Sequence, residues 1–279
     1  MDFDKLFLNT SQQVNRLITK NYSTSFSMAI MLLGKPIKKE IYNIYGFVRV
    51  PDELVDSLRP KDCKKQLEGY ASQTYSALAT GTCSNPVIHA FANTARKYSI
   101  PKDIIKPFFD SMLSDITKKK YTTDQYKQYI YGSAEVVGLM CLMVFVDGNR
   151  DQYKKLKPSA SALGSAFQKI NFLRDIRSDN IRLGRVYFPD VNIKKLTEYD
   201  KKYIEEDILQ DLIVAKQMIN RLPTSSRYGV RLAYYYYYCL YRKIVRTKPQ
   251  ELLTTRVRIN NFYKLLLYIL CYIQKLLRI

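Results

Sequence analysis

Apolar positions recur at three- and four-residue intervals along nearly the whole chain, the spacing of one helix face. No run alternates apolar and polar residues long enough to argue for a strand. The periodicity predicts helices at about 9–20, 37–58, 61–79, 86–97, 101–116, 123–146, 150–156, 159–178, 196–221, 225–246 and 250–277. Breaks fall at Leu33–Pro36, Gly81–Pro86, Asp147–Arg150 and Leu183–Asn192. Pro36, Pro101 and Pro158 stand near expected helix starts, where the N–H that proline lacks has no helical partner to lose. Ten Gly and ten Pro in 279 residues, with no repeat and no low-complexity linker, predict one all-α domain over 1–279.

Two Asp pairs stand out within this pattern: Asp52/Asp56 in RVPDELVDS and Asp175/Asp179 in NFLRDIRSDN. Residues four apart share a helix face, with Cβ atoms roughly 5–6 Å apart, so each pair can present two carboxylates together. Among 25 acidic residues a single such pair reads as a solvated helix face. These two are embedded in apolar runs, IYNIYGFVRV and SALGSAFQKINFL, where like charges destabilise a helix unless a cation or arginine offsets them. Arg49 precedes the first pair, and Arg174, Arg177 and Arg182 surround the second. Mg²⁺ takes one or two carboxylates and leaves positions for substrate phosphates, so two such helices facing each other would form a cage for Mg²⁺ and diphosphate. Pro51 conflicts with this picture. It removes a helical hydrogen bond just before Asp52, and a kink or a fresh helix start is expected there.

Composition narrows the partners. A formal charge of +20 favours anionic ones: nucleic acid, anionic lipid or a phosphorylated substrate. The basic residues are spread along the chain, with no zinc-finger spacing and no RNA-recognition signature, so no nucleic acid is expected. A steeply salt-dependent affinity for DNA or RNA would mark that alternative. His89 is the only histidine, which excludes His-based metal clusters and Ser-His-Asp triads and leaves it as a surface or helix residue. Five scattered cysteines without a C-x-x-C read as free thiols in a reducing compartment. The start MDFDKLFLNT lacks a secretory pattern, and no stretch approaches the roughly 20 apolar residues of a membrane span. The expectation is a cytoplasmic monomer, soluble or peripheral on the inner face of the membrane.

Four segments, in order along nearly the whole chain, carry a resemblance to the squalene/phytoene synthase family, the head-to-head (1′-1) prenyl synthases. YSTSFSMAIMLL (Tyr22–Leu33) resembles its N-terminal Ser-Phe segment, and IYGFVRVPDELVD (Ile44–Asp56) its first Asp-x-x-x-Asp helix. YIYGSAEVVGLM (Tyr129–Met140) is similar to its substrate-lining helix. FQKINFLRDIRSDNIRLGRVYFP (Phe167–Pro189) resembles the second Asp motif and is the most specific of the four. Pro51 and Glu135 depart from the family pattern. Glu135 would either add a carboxylate near the pocket or face away from it.

The resemblance implies a single-domain isoprenoid-synthase-type helical bundle around a central cavity. It implies that Asp52, Asp56, Asp175 and Asp179 hold Mg²⁺, or Mn²⁺ in its place, against the diphosphates of two prenyl substrates. Arg49, Arg174 and Arg182 would bind phosphate. Gln168 and Asn171, seven and four residues before Asp175, would orient metal-bound water or diphosphate, with Asn171 a further metal ligand; a polar rim is the plain alternative. Tyr45 and Tyr187 would steer the cation or the released diphosphate, with core packing the alternative for Tyr45. Ser23, Ser25 and Phe26 carry over as a flap, or Phe26 as ordinary core, and Tyr131 and Gly138 as the substrate-lining wall. One tyrosine of Tyr234–Tyr238 could line the pocket, the rest being packing. The DELVD and RLGRVYFP wording looks more like the phytoene branch, which couples two C20 diphosphates without reductant, so no NADPH is expected. The C15 route to dehydrosqualene or squalene is the runner-up. A catalytically inactive member acting as an interaction protein is a further alternative, opposed by the four intact Asp. A head-to-tail synthase or terpene cyclase would show a D-D-x-x-D cluster that is absent. The segment from Arg256 to Ile279 is expected to rest on anionic membrane or to form a terminal core helix with a basic outer face.

Overall fold

Short polar side chains set the helix starts. Asp2 accepts from the Lys5 backbone N–H and opens α1 (Phe3–Tyr22), ahead of the expected start at 9. Ser23 accepts from the Phe26 N–H and opens α2 (Thr24–Met31), where the periodicity predicts no helix. Such caps satisfy N–H groups that lack a helical partner. The computed structural model describes residues 2–179, 184–189, 191–192 and 195–278. After α3 (Lys35–Glu53) come α4 (Cys63–Thr80), α5 (Pro86–Lys97), α6 (Lys106–Thr117), α7 (Thr123–Ile130) and α8 (Val136–Phe145). They are followed by α9 (Arg150–Ser178), α10 (Glu198–Ile219), α11 (Thr224–Val245), α12 (Pro249–Leu252) and α13 (Asn261–Leu277). Among the described residues there is no strand, only an isolated bridge between Lys120 and Val186. The fold is all-α, as the periodicity predicts.

Pro51 behaves differently from expectation. α3 runs straight through it and then widens into a π turn, Leu54–Leu58, closed by the Arg59 N–H on the Leu54 carbonyl at 2.9 Å. Proline removes the N–H that would bond the Phe47 carbonyl. The Tyr70 hydroxyl, from α4, donates to that carbonyl at 3.1 Å. The missing backbone bond is thus supplied from the neighbouring helix. Single π turns occur mainly inside α-helices and often at functional sites, and this one carries Asp56.

Other boundaries also move. Segments 150–156 and 159–178 are one helix, α9, with Pro158 inside it. Pro158 and Lys154 both lie on the exposed side, where water can take the bond the proline removes. The expected helix 101–116 is a short 3₁₀ turn, Lys102–Ile104, followed by α6 with Pro107 in its first turn. The expected 250–277 helix is two. The Thr254 and Thr255 hydroxyls bond back to α12 carbonyls, and Asn260 caps α13 by accepting from the Tyr263 N–H at 2.7 Å. Residues 253–260 form a strap between them.

α7 and α8 join through a second π turn, Tyr131–Glu135, into a continuous rod. The rod, Thr123–Phe145, is long and apolar enough to cross a membrane, which amends the expectation that no stretch approaches a span. Half of its most apolar window is buried within the fold, so it serves as a core helix. Gly138 and Gly164 let α8 and α9 touch: a Cβ on Gly164 would lie 2.6 Å from the Ala134 carbonyl oxygen, and one on Gly138 2.9 Å from that of Ala160. One contiguous apolar core runs from Ile30 to Val257. His89 is buried on α5 against the Phe7 ring and is no surface residue. All five cysteines are free.

Candidate active site

Two cavities meet at the centre of the helices. The first, about 320 Å³, is apolar and is walled by Ile30, Ile44, Val48, Val137, Leu163 and Val230 of α2, α3, α8, α9 and α11. The second, about 440 Å³, is polar and brings together Asp56, Asp175, Asp179, Arg49, Arg174 and Arg256. Both sizes suit a small-molecule site. Phe26, Tyr45, Arg49, Asn171 and Tyr237 line both cavities and so mark their junction. Phe26 lies 5.6 Å from Tyr45 and 5.9 Å from Tyr237, and Tyr237 stacks on Phe167 at 3.7 Å. The result is an aromatic collar, whose ring faces attract cations, between a greasy chamber and a charged one.

The two Asp pairs, far apart in sequence, meet at this junction, Asp52 on the apolar cavity and Asp56, Asp175 and Asp179 on the polar one, and Asp56 repels both Asp52 and Asp179. Burial pushes the Asp52 carboxyl up to about 7, with Asp56 adding to the shift and Arg49 opposing it. Burial likewise pushes Asp179 up to about 7, reinforced by Asp175 and Asp56 and opposed by Arg185. Asp175 goes the other way: burial raises it, but Arg174 and Arg256 hold it below the usual carboxylate range. Arg256 reaches in from the strap, its Nε 2.6 Å from Asp175 Oδ1. Arg49 donates to Asp52 and Glu53, lies 4.5 Å over the Tyr22 ring, and keeps its buried Nε without a partner among the described residues. Tyr45 is pushed up to about 12 by burial, with Arg49 opposing, and so carries its proton.

Behind the first pair lies a buried group that the sequence did not single out. Arg185, 1% exposed at its side chain, donates to Asp56, to Tyr187 Oη at 3.1 Å, and to the carbonyls of Val55 and Asp115 at 3.2 and 2.8 Å. The Asp115 carboxylate accepts from the hydroxyls of Tyr121, Tyr129 and Tyr187 at 3.1, 2.6 and 3.3 Å. Burial pushes Asp115 up to about 6 despite the opposing Arg185. Buried charges persist where they are paired and hydrogen-bonded, and these two are. Tyr129 also lines the apolar cavity, so this group touches both chambers.

The other candidates divide as follows. Gln168 and Gly138 line the apolar cavity, and Ser23 the polar one, near Tyr45. Ser25 and Tyr131 line neither; Tyr131 packs against the core on the second π turn. Tyr187 also lines neither and instead joins the Arg185–Asp115 group. Arg182 lies outside the described residues. Arg177 turns away to bond the Thr254 carbonyl at 2.6 Å. Glu135 faces Ser161 and the Lys169–Asp211 pair, away from the cavity. Of the Tyr234–Tyr238 run, Tyr237 is the one that lines the cavities, and its hydroxyl donates to Asn171 Oδ1 at 3.3 Å.

Four carboxylates, two of them displaced upward by burial and further by their acidic neighbours, together with an amide oxygen are donor chemistry suited to a hard divalent cation. Among the described residues no three acidic, His or Cys side chains converge into a cage of their own. A cation held here would therefore need water and substrate phosphate to complete its shell. The unpartnered Arg49 Nε offers a further donor to such a phosphate.

A family model described as squalene/phytoene synthase matches residues 19–263. Phytoene synthase from Arthrospira platensis is 32% identical over 68% of this chain and 65% of its own length. The 4,4′-diapophytoene synthase of Staphylococcus haemolyticus is 25% identical over 73% of this chain and 71% of its own. The matched region thus spans about two thirds of these curated relatives. In fold, the chain resembles a dehydrosqualene synthase solved with ligand, with TM-score 0.83, 19% identity, and 95% of this chain and 96% of that one covered.

Proposed function

This chain belongs to the squalene/phytoene synthase family, and we propose that it joins two geranylgeranyl diphosphates head to head (1′-1) into phytoene. The observation that carries this reading is the junction itself: an apolar chamber opening through an aromatic collar onto clustered carboxylates and arginines. The prenyl tails would lie in the apolar cavity and the diphosphates in the polar one. Asp52, Asp56, Asp175 and Asp179, with Asn171, would hold Mg²⁺, which when bound would neutralise charge on the departing diphosphate as a Lewis acid.

Arg49, Arg174 and Arg256 supply charge-assisted hydrogen bonds to phosphate oxygens. The C1–O bond of one substrate breaks, and the electron pair leaves with diphosphate. The double bond of the second attacks the allylic cation, and a proton is lost to give a cyclopropylcarbinyl diphosphate. A second ionisation, rearrangement and proton loss give the 1′-1 hydrocarbon. Both steps end in proton loss, so no reductant is consumed. Phe26, Tyr45 and Tyr237 present ring faces to the cation where the cavities join, and the apolar walls exclude water. Preorganised charge does the work, without a nucleophilic side chain.

The name of the Arthrospira relative favours C20 substrates, and the staphylococcal relative keeps the C15 reaction as the second reading. Purified protein incubated with Mg²⁺ and labelled C20 or C15 diphosphate, without NADPH, separates them. A C40 hydrocarbon from the C20 substrate supports the proposal. A C30 hydrocarbon from C15 alone assigns the second reading, and no hydrocarbon from either contradicts both.

A further inference from the structure

The terminal helix α13 is amphipathic in the inverted sense. A helix on a soluble protein turns its apolar stripe inward and its charges outward. In α13 both lysines and Gln274 are turned inward and bonded to the body, beside the apolar contacts of Leu267 and Tyr268. Lys264 Nζ donates to Thr24 Oγ1 at 3.1 Å, Lys275 Nζ to the Leu32 carbonyl at 2.7 Å, and Arg231 to Gln274 Oε1 at 3.0 Å. Cys271 alone is fully buried, against Leu32, Tyr228, Leu232 and Tyr236. The outer face carries Phe262, Leu266, Ile269, Leu270, Ile273 and Leu277, each 43–69% exposed. No charged residue interrupts that face from Phe262 to Leu277.

We propose that α13 is an interfacial helix that lays this outer face on an anionic lipid surface. Its 17 residues give a length of about 25 Å, and it is packed along the body, so it lies on a bilayer instead of crossing it. Charge selects the occupant. From Leu252 to Ile279 the sequence has no acidic residue; Lys264 and Lys275 turn to the body and Arg256 to Asp175, which leaves Arg258 and Arg278 exposed at the two ends of the helix. A second copy seated on this face would bring only like charges together at the helix ends. Anionic headgroups complement them, and basic residues near such a surface add to apolar binding.

The placement has a consequence for the cavity. α2 and the two residues after it pack Met28 and Leu32 toward α13 and turn Phe26, Ala29, Ile30 and Leu33 into the apolar chamber. The chamber is therefore one helix away from the proposed lipid surface. The docking inference itself stands independently of the reaction proposed above.

The full chain contains no tryptophan, so Leu266→Trp places a single reporter on the outer face. Vesicles of phosphatidylcholine, with and without phosphatidylglycerol, are the probes. We expect a blue-shifted reporter and co-flotation with the anionic vesicles, at least about tenfold tighter than with neutral ones and weakening with salt. Leu270→Glu/Ile273→Glu, both on the exposed face, should lower binding by at least about tenfold with its melting profile and turnover of soluble substrate retained. No binding of the wild-type chain to anionic vesicles would overturn the proposal. So would equal binding to neutral and anionic vesicles, or a dimer in sedimentation that the double variant dissolves.

Discussion

The two Asp pairs share a spacing and differ in how the fold holds them. Asp52 and Asp56 straddle the end of α3 and a π turn, and Asp56 is held by Arg185, a buried guanidinium fixed by two backbone carbonyls and an Asp115–tyrosine group. Asp175 and Asp179 close the regular helix α9, and Asp175 is held by its neighbour Arg174 and by Arg256, half exposed on a strap. A buried arginine with several fixed acceptors cannot leave without stranding charge. An exposed one can exchange a carboxylate for a phosphate at little loss, since exposed ion pairs contribute little. The first half-site is thereby preset, and the second is exchangeable.

Removing a carboxylate from either half should have the largest effect. Asp175→Asn is expected to lower turnover by about 10²–10³-fold with a near-normal melting temperature, because it deletes charge at the leaving diphosphate and not a core contact. Wild-type turnover in that variant would make the second pair structural. Breaking the buried support should instead appear as instability. Arg185→Met strands Asp115 and should cost about 3–5 kcal/mol, read as a drop in thermal midpoint of order 10 °C. An unchanged midpoint would remove the preset half of the comparison.

Arg256→Gln should leave the midpoint within a few degrees and raise KM for the diphosphate substrate by about tenfold, the scale of one lost charge-assisted hydrogen bond. A large loss of stability there would show that the strap is not exchangeable. The smallest effect is in pH. Carboxyls raised to about 7 in the cation-free fold contribute stability that is present below about 4 and lost as pH rises through 7. A divalent cation binds only the deprotonated forms, so the rise in midpoint on adding Mg²⁺ should be small at pH 6 and larger at pH 8. The opposite order would place the cation elsewhere.

Local patterns reached part of this. Helical periodicity carries the all-α fold, because apolar spacing is a property of each segment by itself. The Asp spacing pointed to the meeting of the two pairs, since four residues is a helix-face distance. Pro51 was legible as a conflict but not as a solution, because the bond it removes is replaced by Tyr70, far away in sequence. Asp115 and Arg256 carry no motif, and only packing brings them to the site. Arg185 stood in a quoted string without a role, since burial and four acceptors, not its neighbours, give it one. The inverted polarity of α13 was hidden because composition shows an apolar run with lysines, while only docking shows that the lysines point inward.

The central claim is that the two pairs form one cation-dependent diphosphate site. Calorimetric binding of inorganic diphosphate, with and without Mg²⁺, to the wild-type chain, Asp56→Asn, Asp179→Asn and the double variant tests it most directly. Binding should require Mg²⁺, fall in each single variant, and fall little further in the double, because residues sharing one site are non-additive. Mg²⁺-independent binding, or strictly additive losses from the two pairs, would contradict the account.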